Sequence, residues 1–282
     1  MSNNLIEKHA KSFYWASFFL SKKIFNKCSS LYDFCRTLDD IADEGTPLEI
    51  KKKKFKEFKS EFKNKNYSNP IIKNILNLLV EEDISNKIVE DLFDGVESDL
   101  KNQVKMSTKK QLFVYSYRVA GTVGLMMSKI LKVNDKLSLK RAIDLGIAMQ
   151  LTNIARDVVE DKKRNRSYID HNFNSIKETI EIADAFYKSS FSAIRAVPIG
   201  SRFSIIVARR VYRKIGDNIL KQKNIENYDN AGKIYVSNVG KIIQTILSLY
   251  DFIRINFINN KENLTEKEHL IINEEINLNE RF

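Results

Sequence analysis

Two cysteines, three prolines and nine glycines are few for 282 residues, and each scarcity excludes something. Cys28 and Cys35 stand seven residues apart with no C-x-x-C, so there is neither a disulfide framework nor a cysteine metal site. They suit a reducing compartment and read as small apolar packing groups. So little Pro and Gly leaves few breaks, and no stretch alternates apolar and polar residues over strand length; the chain reads as nearly all helix. No run of about 18 apolar residues occurs, and no charged segment leading into an apolar core opens the chain. The expectation is a cytoplasmic protein, with peripheral contact at an inner membrane surface left open. Also missing are G-x-x-x-x-G-K-[ST], a G-x-G-x-x-G after a strand, and any His/Cys metal spacing. His9, His171 and His269 are far apart and give no triad; His171 and His269 read as surface residues.

Charge is abundant and one-sided: 47 Lys and Arg against 36 Asp and Glu, a net +11. Such a balance invites nucleic acid or a membrane surface as partner. The basic residues are spread over many segments, without the clustered face a nucleic-acid binder needs, so solvated Lys faces explain them and no nucleic acid is expected. The hydrophobic content of 43% is enough for a sizeable core.

Two stretches concentrate chemistry. In Q-L-T-N-I-A-R-D-V-V-E-D, Gln150, Asn153, Asp157 and Asp161 fall at i, i+3, i+7 and i+11, within an arc of roughly 80° of a helix. In L-Y-D-F-C-R-T-L-D-D-I-A-D-E, Tyr32, Arg36, Asp39 and Asp43 fall at i, i+4, i+7 and i+11, an arc of about 60°. A polar stripe on an otherwise apolar helix is costly unless something satisfies it. Each aspartate pair is one turn apart, about 6 Å of rise, and can bracket a divalent cation. Hard oxygen ligands favour Mg²⁺ or Mn²⁺ over zinc, and Mg²⁺ held by few carboxylates is completed by water and phosphate oxygens, which points to a diphosphate substrate. One pair alone would read as a solvated helix face; two, each with amide, Arg or Tyr companions, read as a site.

Taken in order, Ser12 is a candidate cap for F-Y-W-A-S-F-F-L. Ser21 starts a helix over about 21–44, stopped by Gly45 and Pro47. Its last turn is acidic, against the helix dipole, so it wants cations. A Lys-rich helix over 47–64 turns Phe55, Phe58 and Phe62 inward, Asn69-Pro70 starts another, and Ser85–Gln103 is amphipathic, with Asp94 and Asp99 read as solvated near a bundle mouth. The stretch 107–133 is one long apolar helix whose Gly, Ala and Thr require a close approach, by a crossing helix or by a long apolar ligand. Residues 137–161 form the second motif helix, and K-K-R-N-R-S-Y-I after it could fold over a diphosphate. Helices over 175–195 and 200–224, a loop at 227–232, a helical region over 233–259 and a fraying tail complete the chain.

These motifs resemble the squalene and phytoene synthase family, the head-to-head trans-isoprenyl diphosphate synthases. The resemblance rests on H-A-K-S-F at 9–13, Y-D-F-C-R-T-L-D-D-I-A-D-E at 32–44, Y-R-V-A-G-T-V-G at 117–124, L-G-I-A-M-Q-L-T-N-I-A-R-D-V-V-E-D at 145–161 and V-Y-R-K-I-G at 211–216. It implies an all-α fold, a single-domain isoprenoid-synthase-type helical bundle over 1–282 with a central cavity. Asp39 and Asp43, with Asn153, Asp157 and Asp161, match the two metal motifs. Tyr32, Arg36, Gln150, Arg156 and Tyr212 match positions contacting diphosphate or the reacting carbons. His9, Lys11 and Ser12 match a substrate-binding segment, and Tyr117 and Gly121 the cavity wall. Three positions depart from the pattern: Ala10 where some members have Ser, N-R-S-Y-I-D after the second motif, and Lys233 in place of a common Arg, which bears on the phosphate grip.

Within that family, G-T-V-G-L-M-M, Q-L-T-N-I-A-R-D-V and Y-R-K-I-G resemble bacterial phytoene synthases more than squalene-type members. That implies condensation of two geranylgeranyl diphosphates through a cyclopropyl intermediate to phytoene, with Mg²⁺ and no NADPH, and no obligate protein partner. A squalene, dehydrosqualene or presqualene diphosphate synthase using farnesyl diphosphate is the alternative. A non-catalytic helical assembly factor of the same fold is a third, although such a protein should have lost the motif aspartates.

Overall fold

Helix boundaries fall largely where side-chain chemistry puts them. The computed structural model describes residues 11–258 and 264–282, so His9 lies outside the described residues. The first helix, α1 (Lys11–Ser17), runs through Ser12, which therefore does not cap it. The Ser21 hydroxyl accepts from the Ile24 N–H and opens α2 (Lys22–Asp43), and α3 (Leu48–Lys63) follows Pro47. Asn69 caps α4 (Pro70–Glu81), with Pro at its first position, and Ser85 caps α5 (Asn86–Glu97). Phe55, Phe58 and Phe62 are buried and meet the rings of Phe34 and Phe93, so the Lys-rich face of α3 is a solvated one.

The stretch 107–133 is three pieces rather than one helix: α6 (Lys109–Ser116), a π-helical turn (Tyr117–Gly121) and α7 (Thr122–Ile130). Its small residues serve a crossing with α8 (Lys136–Arg156). A Cβ on Gly146 would stand 2.2 Å from the Ala120 carbonyl oxygen, and one on Gly124 2.3 Å from that of Ala142. Backbone lies against backbone there. Beyond Arg156 the helix kinks and continues as α9 (Val158–Lys163). Across the kink Asp157 N–H still donates to the Asn153 carbonyl at 2.9 Å, and Asp161 N–H to that of Asp157 at 2.8 Å, so the motif stripe stays in phase.

A parallel pairing of two residues each, β1 (Val104–Lys105) with β2 (Arg166–Ser167), ties the loop after α9 beside the loop after α5. Then come α10 (Phe173–Phe191), a 3₁₀ turn (Ser192–Ala196) and α11 (Ile199–Leu220). A short helix, α12 (Ile225–Asn230), occupies most of the expected loop. It forms because buried Tyr228 is drawn inward, its hydroxyl donating to the carbonyls of Ala155 and Arg156 at 2.9 and 2.8 Å. Next are α13 (Asn238–Arg254), α14 (Glu266–Asn273) and a 3₁₀ turn (Leu278–Glu280). The core surrounds α8, whose Ile143, Ile147, Ala148 and Leu151 are fully buried. The fold is all-α.

The described part of the tail does not fray. Asp144 of α8 is fully buried; its Oδ2 accepts from Arg141 at 3.1 Å, Thr265 at 3.0 Å and Ser189 at 2.5 Å, and its Oδ1 meets His269 Nε2. A carboxylate taken out of water needs such partners, so His269 is buried rather than on the surface. Arg281 adds a fork onto Asp91 at 2.7 and 3.0 Å.

Candidate active site

The two polar stripes meet at one end of an apolar cavity. Tyr32 and Asp39 of α2, Gln150 and Asn153 of α8 and Tyr212 of α11 line it together with apolar side chains such as Leu20, Leu31, Met127, Leu131, Ile194 and Ile205. Along α8 the lining runs from Asn153 back to Ser138, fifteen residues and so about 22 Å at 1.5 Å each. The carboxylate and amide side chains of the lining gather at the Asn153 end, while Ser138 and Arg141 border the other.

At that end the aspartates divide into two kinds. Asp43 is gripped by two guanidinium groups, Arg166 at 2.7 Å and Arg164 at 3.0 Å. Asp157 takes a fork from Arg156 at 2.8 and 2.6 Å and has Lys233 at 3.4 Å. Asp39 and Asp161, their partners one turn away, have no cation within ion-pair distance among the described residues. Burial, then the charge of Asp43, pushes Asp39 up to about 7; burial, then Asp157, pushes Asp161 up to about 7. Asp39 is exposed by area and borders the cavity, so its shift is a matter of the protein packed around the rest of the carboxyl. Asp99, read as solvated, is instead half-buried and accepts from the hydroxyls of Tyr115 and Tyr168 at 2.7 Å each. Those two rings stack at 4.7 Å. Enclosure raises Asp99 as well, and its charge raises both Asp39 and Asp161.

The squalene/phytoene synthase family model matches residues 6–174. That is more than half of the chain. The chain belongs to the squalene/phytoene synthase family. It is 38% identical over 128 residues to the 15-cis-phytoene synthase of Enterobacter agglomerans, covering 38% of this chain and 43% of that one. It is 28% identical over 249 residues to the phytoene synthase of Cereibacter sphaeroides, covering 77% and 70%. The first relatives are thus matched over less than half of their own length. Among solved structures, a dehydrosqualene synthase superposes with a TM-score of 0.70 at 23% identity over 87% of this chain and 93% of that one. The squalene synthase HpnC of Alicyclobacillus acidocaldarius gives 0.66 at 18% over 77% and 91%. Both show the shared helical fold.

In this squalene/phytoene synthase family member, Tyr32, Asp39, Gln150, Asn153 and Tyr212 border the cavity, with Asp43, Arg156, Asp157 and Asp161 coupled to them at its mouth. Burial holds the phenols of Tyr32 and Tyr212 up at about 12. Arg36 pairs with Asp40 at 2.5 Å while its buried Nε has no partner. Lys11 and Ser12 do not line the cavity; Phe13, Ala16 and Ser17 of the same helix do. Tyr117 and Gly121, expected on the wall, are not there either. The π turn rotates Tyr117 to give its hydroxyl to Asp91 at 2.8 Å, Gly121 faces Ile143 of α8, and Val119, Ala120, Val123 and Gly124 line the cavity instead. Arg164, Arg166, Tyr115 and Tyr168 were not singled out from sequence, and Asp99 was read only as solvated near a bundle mouth. The basic loop K-K-R-N-R-S-Y-I was the one signal for the arginines, and it does fold over the mouth.

The donor set suits a hard cation. Among the described residues no three carboxylate, His or Cys groups converge on one point, so each aspartate pair would need ligands from elsewhere. Asn153 has a buried Oδ1 with no hydrogen-bond partner, on the same stripe as Asp157 and Asp161. An unpartnered buried oxygen on the stripe that carries Asp161, whose proton affinity enclosure raises, fits a hard cation held there.

Proposed function

We propose that this protein is an Mg²⁺-dependent prenyltransferase that condenses two geranylgeranyl diphosphates head to head into phytoene, the entry step of carotenoid synthesis. The observation that supports it best is an apolar cavity about 22 Å long, bordered along α8 by Ser138 to Asn153, with carboxylate stripes at one end. A zigzag carbon chain advances roughly 1.25 Å per bond, given bonds of about 1.5 Å. The sixteen-carbon backbone of a geranylgeranyl chain then spans roughly 19 Å and the twelve-carbon farnesyl backbone roughly 14 Å. A cavity of that length has room for the longer chain. The relatives named as phytoene synthases support the same choice.

In this reading Asp39 and Asp43 on one side, and Asn153, Asp157 and Asp161 on the other, would hold Mg²⁺, which supplies positive charge to the diphosphate oxygens and makes the diphosphate a better leaving group. Arg164 and Arg166, now neutralised on Asp43, and Arg156 and Lys233 on Asp157, present N–H donors to the same oxygens. Lys233 keeps a cation where the family pattern has Arg. Tyr32 and Tyr212 stay protonated and can donate hydrogen bonds at the reacting end. The apolar lining beyond them excludes water while the allylic cation adds to the second double bond and loses a proton to close the cyclopropane, and again while the cation left by departure of the second diphosphate rearranges. The last step is loss of a proton, so no reductant is required.

The test is purified protein with geranylgeranyl diphosphate, Mg²⁺ and mild detergent, without NADPH, with extracted lipid identified by mass. Phytoene that disappears on adding EDTA is the expected result. A C30 product from farnesyl diphosphate in its place would overturn the chain length while keeping the site; no product from either would overturn the enzyme reading.

A further inference from the structure

Helix α13 is amphipathic in the wrong direction for a water-soluble protein. Its inward face is polar: Lys241, Gln244, Ser248 and Asp251, at i, i+3, i+7 and i+10, are all buried. Arg210 of α11 satisfies two of them, at 2.5 Å from Asp251 and 3.3 Å from Gln244. Its outward face is a continuous apolar stripe, Val239, Ile242, Ile243, Ile246, Tyr250 and Ile253, at i, i+3, i+4, i+7, i+11 and i+14. Exposure there reaches 66% at Val239, 60% at Ile246 and 66% at Tyr250. A globular helix turns such a stripe to the core, and a soluble monomer rarely leaves one this long uncovered. Phe18, Phe19 and Ile199 extend the patch: Trp15 of α1 donates to Thr245 of α13 at 2.9 Å, and the rings of Phe19, Phe203 and Phe252 run in edge contact from the turn after α1 through α11 to α13.

The charge around this patch has one sign. No Asp or Glu occurs over residues 11–32, 185–216 or 230–250, the segments that build it. Exposed Lys11, Lys22, Lys23 and Arg195 have no ion pair among the described residues, and Arg202, which reaches Asn256 beyond α13, leans on carbonyls rather than carboxylates. A second copy seated on the same face would bring these cationic rims together across a two-fold contact; an anionic surface would be attracted by them.

We propose that the outward face of α13, with Phe18, Phe19 and Ile199, is a docking surface for an anionic lipid bilayer. The helix lies flat with Ile246 and Tyr250 among the acyl chains, while Lys22, Lys23 and Arg195 meet lipid phosphates. No helix among the described residues is long and apolar enough to cross a membrane, so the contact is peripheral. The short α1 borders the cavity through Phe13, Ala16 and Ser17, and it reaches the docking face through Trp15 and the turn at Phe18 that follows it. On the proposed reaction, apolar chains would thus be taken up and released one helix away from lipid.

The test is flotation of the protein with vesicles of phosphatidylglycerol and phosphatidylethanolamine, and with vesicles of phosphatidylcholine alone, at low and high salt. Variants are Ile246→Ser with Tyr250→Ser, and Lys22→Glu with Lys23→Glu, each checked for an unchanged thermal transition and unchanged turnover of detergent-dispersed substrate. Expected are binding to the phosphatidylglycerol vesicles, at least a tenfold smaller bound fraction in the first variant, and a several-fold reduction in the second that mimics high salt. Flotation of the first variant like wild type, or no flotation of wild type with either vesicle, would overturn the proposal. So would light scattering that finds a dimer of the 32.8 kDa chain which Ile246→Ser with Tyr250→Ser disperses. Vesicle binding is read without substrate, so its failure leaves the proposed reaction untouched.

Discussion

On the proposed reaction, substituting Ala142 by Phe should convert the substrate preference from C20 to C15. Ala142 lines the cavity eleven residues before Asn153 on α8, about 16 Å from the mouth. A phenyl ring there stops the cavity between the roughly 14 Å of a farnesyl backbone and the roughly 19 Å of a geranylgeranyl backbone. Denying burial to the last isoprene unit forfeits five carbons at about 0.8 kcal/mol each, about 4 kcal/mol, or about a thousandfold in kcat/KM. The residual room around Leu131 and Val133 brings the expected loss to roughly a hundred- to a thousandfold for geranylgeranyl diphosphate, with farnesyl diphosphate little affected. The assay is competition between the two substrates in one tube, with C30 and C40 products counted by mass. An Ala142→Phe protein that is folded and still makes phytoene at the wild-type rate would show that the chain does not run along α8, and the length argument for the C20 substrate would go with it.

Asp39→Ala and Asp157→Ala should each abolish turnover with an unchanged circular-dichroism spectrum; near-normal activity in either would remove the metal-bridge argument. Asp39 and Asp161 bind protons more tightly when folded, near 7 against 3.8 ordinarily, so the metal-free protein should lose stability as pH rises from about 4 to 7. Mg²⁺ should cancel that loss, and the Mg²⁺ concentration for half-maximal rate should climb below pH 7; thermal scans at pH 5.5 and 8, with and without Mg²⁺, measure both. His269→Ala leaves one oxygen of fully buried Asp144 without its partner and should lower stability by about 2–4 kcal/mol in urea unfolding. Gly146→Ala drives a methyl group onto the Ala120 carbonyl and should cost about 3 kcal/mol or more, seen as a fall in the denaturation midpoint.

The helical period alone made the two stripes visible, because Tyr32–Asp43 and Gln150–Asp161 sit on rigid elements whose geometry follows from spacing. What holds their aspartates was less legible. Arg164 and Arg166 reach Asp43 from more than a hundred residues away, through a loop positioned by β1 and β2, and no local pattern encodes that distance. Tyr117 was expected on the wall from its match to the family motif, and the wider turn, which no local spacing announces, sends its ring to Asp91 instead. His269 looked like a surface residue because its reason for burial, Asp144, lies in another element. For α13 the stripe was in the sequence, but periodicity states only that a helix has two faces. Which one turns inward was decided by Arg210.

The wide turn at Tyr117–Gly121 has a mechanical consequence. It joins α6 and α7 as two lengths of one shaft set at different phases, so each can be aimed independently. The first length is timed to bring Tyr115 onto Asp99 at the charged mouth, the second to lay Gly124 against α8 and Val123 along the cavity. Removing a single residue from the joint, such as Ala120, would restore an unbroken helix and rotate one length by about 100° against the other. The chain could then keep the tyrosine clasp or the glycine crossing, but not both.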